Sequence, residues 1–330
     1  MIWLTWRQFR TQALAALAAV LLLGSYLVTL GLQIRSKHDS VLSQCRSHGN
    51  CPGLLASFTS QYYVQVSLLS YFLLIVPGIL AMFWGVPLIT RELELGTHRL
   101  VWNQSVTRKR WLVVKLGVVG LSSMAVAGLL SLLLTWAASP FDQVEADRFT
   151  PALFAARNIA PVAYAAFACA LGVTLGLFIR RTLPAMALAA VLFAVVQITV
   201  PSVVRPDLVP PVRTSVQLTS SELATVNFLG QYGTVGGLKV PSGDWVVSTS
   251  PMFNSAGESI GHSAMYANCI NTSVQSVTLS CLTKADLHVN VTVQPARRYW
   301  SFQWYESGLY ALAAVILAGL CLWRIRGRLN

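Results

Sequence analysis

Apolar residues in this chain come in long runs. Six stretches, roughly 11–34, 64–90, 112–138, 158–179, 184–203 and 305–323, are nearly free of charge. A helix rising 1.5 Å per residue needs about 20 apolar residues to cross a bilayer core, so each run predicts a span. Segments 35–63 and 139–157 between them read as polar loops. Arg180-Arg181-Thr182 is so short a link that spans four and five must form an antiparallel helical hairpin. Pro77-Gly78 and Pro87 predict kinks in span two. Residues 1–10 read either as an amphipathic helix lying in the membrane interface or as the start of span one.

After span five the pattern changes. Residues 204–304 are rich in Ser, Thr, Gly, Val and Pro, and VRTSVQL, DWVVSTS, QSVTLSCL and LHVNVTV alternate or are β-branched, which predicts strands. The expected fold is a polytopic α-helical membrane protein with six transmembrane helices and an extracellular, mainly β domain between helices five and six. The expected divisions are 1–203, 204–304 and 305–330.

Composition agrees: 55% of residues are hydrophobic and 11% charged, against roughly a quarter charged in soluble domains. Of the 24 Lys and Arg, thirteen fall in short segments at the termini, at 91–115 and at 180–181, beside only two of the twelve acids. Short basic segments stay in the cytoplasm, so both termini are expected there, in a plasma membrane. The net charge of +12 then reports topology, not nucleic-acid binding. The first run is too long for a cleaved signal and no small-x-small site follows it. Cys45 and Cys51, and Cys269 and Cys281, fall in the two expected outside loops, while Cys169 and Cys321 fall inside spans. Two local disulfides suit an oxidising exterior better than a zinc site built with His48, His262 or His288, so no metal is expected.

The chain lacks G-x-x-x-x-G-K-[ST] and has no Gly-Lys dipeptide at all, so it holds no P-loop. The spans show no carboxylate in their middles, and Glu306 is read at the rim of the sixth; a proton relay would need one. Gln197 and the Gly172-x-x-x-Gly176 face read as interhelical contacts. Tyr71, Phe72, Phe83, Trp84, Phe193 and Gln197 are candidates for a substrate path. In the loop after span two, RELELG predicts a short helix ending near Gly96, and Ser105 or Thr107 a cap for span three. Leu93, Leu95, Leu100 and Trp102 suit either the membrane surface or a groove on a partner protein.

That loop, RELELGTHRLVWNQSVTRKRWLVVK, resembles the intracellular segment of actinobacterial ABC-2-type transporter permeases, and MIWLTWRQFR is similar to their N-terminus. The resemblance implies a permease without catalysis of its own. It would work with a second, identical or homologous permease and two copies of an ATPase subunit that binds ATP and Mg. It places Glu92, Glu94, Gly96, Thr97 and Arg99 in or beside the coupling loop 91–111. The expected activity is export of an amphipathic compound (a drug, antibiotic, peptide or lipid). The alternative is a sensing complex whose outside domain binds a ligand without transport. An enzyme is the third reading: His262, His288, Asp244 and Glu258 are present, but no spacing assigns a nucleophile to a base.

Overall fold

A computed structural model describes residues 2–48, 51–96, 107–145, 148–230, 232–238, 240, 243–271 and 275–326. Among them are six helical stretches long and apolar enough to cross a membrane: Arg10–Ser47, Cys51–Glu94, Arg108–Val144, Ala160–Ile179, Thr182–Asp207 and Ala296–Arg326. The chain forms two units: Met1–Glu145, Pro151–Ser202 and Ser301–Asn330 in one, Ala146–Thr150 and Val203–Trp300 in the other.

The first unit opens with α1 (Ile2–His48) and α2 (Cys51–Leu80). A π turn, Ala81–Gly85, leads into α3 (Pro87–Glu94). Then come α4 (Arg108–Glu145), the short α5 (Pro151–Ala155), α6 (Ala160–Ile179) and α7 (Thr182–Thr199). The C-terminal helix, Tyr299–Arg326, completes it. Helix α1 is unbroken from residue 2, and its 47 residues extend about 70 Å at 1.5 Å each.

Segment 35–63 is helical over its described residues, 35–48 and 51–63, and not a loop. It is the far end of an α1–α2 hairpin, closed at its tip by the Cys45–Cys51 disulfide with 4.7 Å between Cα atoms. Leu30, Ile34, Val41 and Cys45 on α1 meet Phe58, Tyr62 and Val66 on α2, with Ala138 and Phe141 of α4 and Leu153 of α5. This one-sided helical spacing survives where mean hydropathy drops, which is why a hydropathy reading ends the helices too early. Arg35 fastens the hairpin to α4 by donating to the Trp136 carbonyl (2.6 Å), its guanidinium 4.0 Å from that indole's centroid. In segment 139–157, α4 continues through Pro140 to Glu145, and Ala152 to Arg157 are buried.

Helix α6 packs closely on the π turn and α3. A Cβ on Gly172 would lie 2.8 Å from the Ala81 carbonyl oxygen, and one on Gly176 would lie 3.2 Å from that of Val86. The small-residue face expected from sequence is thus a backbone-to-backbone contact.

In the second unit, β1 (Val212–Gln217), β5 (His288–Gln294) and β4 (Trp245–Phe253) form an antiparallel sheet in the order β1-β5-β4. Strands β2 (Phe228–Leu229) and β3 (Val235–Gly236) make a small hairpin. Helices α8 (Ser220–Thr225), α9 (Ala264–Ile270) and α10 (Gln275–Thr283) accompany them. Val289, Val291 and Val293 join Met252, Tyr266 and Leu282 in the core. Phe149 stacks on Trp245 (5.6 Å between centroids) and meets Tyr299 edge-on (5.5 Å). This unit is mixed α and β, not mainly β. QSVTLSCL is helical, because the Cys269–Cys281 disulfide ties α10 to α9 and Leu282 turns into the core.

Gly172→Ala should lower thermal stability in detergent by about 1–3 kcal/mol, the usual cost of overpacking. Gly117→Ala, whose Cβ meets nothing within 4 Å, should be neutral or slightly stabilising because Ala is the better helix former. Equal unfolding midpoints for the two variants would contradict the close contact.

Candidate functional site

The loop singled out by sequence begins on α3. Pro87, with its preset φ, occupies the first position, and Gly96 ends the segment at φ +66°, a left-handed conformation that favours glycine. Residues two apart on a helix point about 200° apart, so Glu92 and Glu94 serve different neighbours.

Glu92 faces α4. Its Oε1 lies 2.6 Å from Lys115 Nζ, and its Oε2 accepts from the Trp111 indole N–H (3.1 Å). Lys115 also donates to the Leu88 carbonyl (3.1 Å). Both charged residues are buried, Glu92 being 7% exposed and Lys115 3%. A buried pair is tolerated when its geometry is good and further hydrogen bonds complete it. Lys115 is thus an internal counter-ion.

Glu94 faces α7. Its Oε1 accepts from the Thr182 main-chain N–H (2.7 Å) and its Oε2 from the Thr182 hydroxyl (2.9 Å). Arg181, at the N-cap of α7, provides no side-chain cap. A carboxylate from α3 fills that role, well placed for both the free N–H and the helix dipole. On the remaining side, Ile89 packs with Trp111, Leu112, Val173, Leu177, Cys321 and Ile325. Arg91 and Leu95 stay exposed, Leu95 at 75%. Thr107 caps α4 by accepting from Arg110 N–H (3.3 Å). Thr97, Arg99, Leu100, Trp102 and Ser105 lie outside the described residues. Trp111, Lys115 and Thr182 are partners that the sequence reading did not assign. The signal for two of them was a Trp and a Lys four residues apart at the edge of an apolar run.

The candidate path residues divide by exposure. Tyr71, Phe72 and Phe83 are exposed on the single chain, while Trp84, Phe193 and Gln197 are buried. Trp84 packs with Leu80, Val119 and Cys169. Phe193 fills the space over Gly78, and Gln197 Oε1 accepts from the Tyr310 hydroxyl (2.8 Å).

A second set of polar groups lies along the C-terminal helix at Gln303, Glu306 and Tyr310. Gln303 donates to the Phe154 carbonyl (3.1 Å) and accepts from Ala160 N–H (3.1 Å), so one amide serves both ends of the break between α5 and α6. The Tyr164 hydroxyl donates to Glu306, which is fully buried within the bundle. Arg157 pairs with Asp142, also in the interior. Glu306 and Arg157 are therefore charged groups buried among the helices. Gln303, Glu306 and Tyr310 sit at helical spacing on one face of the C-terminal helix, a pattern that total hydropathy does not register.

One sequence pattern in the second unit bears on the enzyme reading. Gly257-Glu258-Ser259-Ile260-Gly261 matches G-x-S-x-G, which in hydrolases is a strand-to-helix elbow. Here Ser259 bridges Phe253 across a tight turn organised by Asn254, whose Oδ1 accepts from Ala256 and Glu258 N–H. It is a β turn and no elbow.

A family model described as ABC-2 membrane transporter related matches residues 17–205, more than half of the 330-residue chain. No curated protein and no solved structure matches it.

Glu92→Gln should destabilise the chain by about 3–5 kcal/mol, because it leaves Lys115 buried without a counter-charge. Glu92→Met with Lys115→Met should recover most of that loss, read as unfolding midpoints in detergent. Glu94→Ala should cost about 1 kcal/mol, as loss of a cap does. An unchanged midpoint for Glu92→Gln would refute the role given to the pair.

Proposed function

Because this chain belongs to the ABC-2 membrane transporter related family, we propose that it is the permease of an ATP-driven exporter. It would act with a separate ATPase subunit, in two copies, and a second permease, identical or homologous. Nucleotide and Mg belong to the ATPase, since this chain has no P-loop. The observation that carries the reading is α3. Its outer side presents Arg91 and Leu95 while its inner side is fixed to α4 through Glu92 and to α7 through Glu94.

In this reading the ATPase meets Arg91, Leu95 and the loop continuing through Gly96, Thr97 and Arg99. Closure of the ATPase dimer pushes α3, and the two carboxylates pass the displacement to α4 and α7 together. The cationic end of the bundle faces the cytoplasm with both termini, and the second unit lies outside. Tyr71, Phe72 and Phe83 border the space shared with the second permease. The cargo that suits them is amphipathic.

Purification in mild detergent with mass spectrometry should recover a P-loop ATPase with the wild-type chain. Leu95→Asp should reduce its recovery about tenfold, on the order of one lost interface contact of 1–2 kcal/mol, and leave the unfolding midpoint unchanged. A folded wild-type chain without any ATPase would overturn the proposal. In vesicles, ATP-dependent flux is expected; ligand-stimulated ATP hydrolysis without flux would favour the sensing alternative.

A further inference from the structure

The β1-β5-β4 sheet has one face in the core and one face lined with polar groups. Register sets Thr292 between Arg213 and Ser248, and Ser215 beside Asn290. Ser250 completes the second row, its Oγ accepting the Asn290 main-chain N–H (3.0 Å). With Thr214, Thr249 and Val291, these six residues line a hollow of about 470 Å³, within the size range of small-molecule sites. Strand β4 carries two register shifts, between Val246 and Ser248 and between Thr249 and Met252, on either side of the stretch that walls the hollow. Bulges bend a strand and re-aim its side chains, and they recur beside binding sites.

The chemistry of the lining is selective. The side chains of Arg213, Ser215, Ser248, Asn290 and Thr292 make no hydrogen bond or ion pair to other described residues, and no carboxylate lines the hollow. Neighbouring strands hold these groups about 4.8 Å apart across the sheet. That grid offers one fixed cation among hydroxyls and a carboxamide. The next row along the same face holds Gln217 and two rings, those of His288 and Phe253, which stack with centroids 5.9 Å apart. An aromatic surface beside hydroxyl and amide donors suits a pyranose ring, and a guanidinium suits a carboxylate or phosphate on it.

We propose that this sheet face is a binding site for an anionic saccharide, with Arg213 holding the acidic group and Ser215, Ser248, Asn290 and Thr292 the sugar hydroxyls. The site is independent of the ATPase reading and is tested without an ATPase.

The test titrates the full chain in nanodiscs with three probes. They are the carboxylate disaccharide N-acetylglucosaminyl-N-acetylmuramic acid, the neutral N,N′-diacetylchitobiose and inorganic phosphate. The acidic disaccharide should bind about tenfold more tightly than the neutral one, as a charge-assisted hydrogen bond implies, and phosphate alone more weakly still. Arg213→Ala, an exposed position on an edge strand, should erase the preference for the acid. Asn290→Ala should weaken both disaccharides. Unfolding midpoints confirm that both variants remain folded. Absence of saccharide binding, phosphate binding as tight as that of the disaccharide, or an acid preference that survives Arg213→Ala would each overturn the proposal.

Discussion

A charge buried in an apolar bundle must be neutralised where it sits, and the Glu92–Lys115 pair meets that condition for α3. Much of that end of the first unit follows from it. The pair fixes the rotation of α3, with Trp111 and the Leu88 carbonyl completing its hydrogen bonds. Once Glu92 is turned to α4, helical geometry turns Glu94 the other way, onto the uncapped start of α7. Gly176 allows α3 to come close enough to α6 for both contacts to form. Two acids in an otherwise basic loop are thus structural ties in opposite directions, and the surface left for a partner is Arg91 and Leu95.

The parts of the fold legible in sequence were those set by summed hydropathy. Six runs gave six spans, and Arg180-Arg181-Thr182 gave the hairpin of α6 and α7. Helix ends were not legible beyond the apolar runs: Val41, Cys45, Phe58 and Tyr62 continue the packing stripe through polar sequence. Strands β1, β4 and β5 were read from alternation. QSVTLSCL alternates almost as well, but its partner across the disulfide is a helix, information carried by a distant cysteine.

The candidate site was legible as a motif and illegible as geometry. Glu92 and Glu94 could be named, but their partners lie 19 to 88 residues away. The internal polar contacts of the C-terminal helix were missed for a related reason. Gln303 matters because the backbone breaks between Phe154 and Ala160, and unpaired backbone groups in a lipid-embedded bundle need a local partner. Reading that role requires knowing which break the amide will meet.

The disulfide at the tip of the α1–α2 hairpin has a kinematic consequence. With Cys45 and Cys51 joined, the two longest stretches of the bundle share a pivot and cannot slide past one another like pistons. Their remaining freedom is angular, so any relative displacement grows with distance from the tip. The arc is smallest at the hairpin and widest some tens of ångströms away, where α2 runs through the π turn into α3. A small splay of the hairpin and a large swing of α3 are then one motion seen at the two ends of a lever.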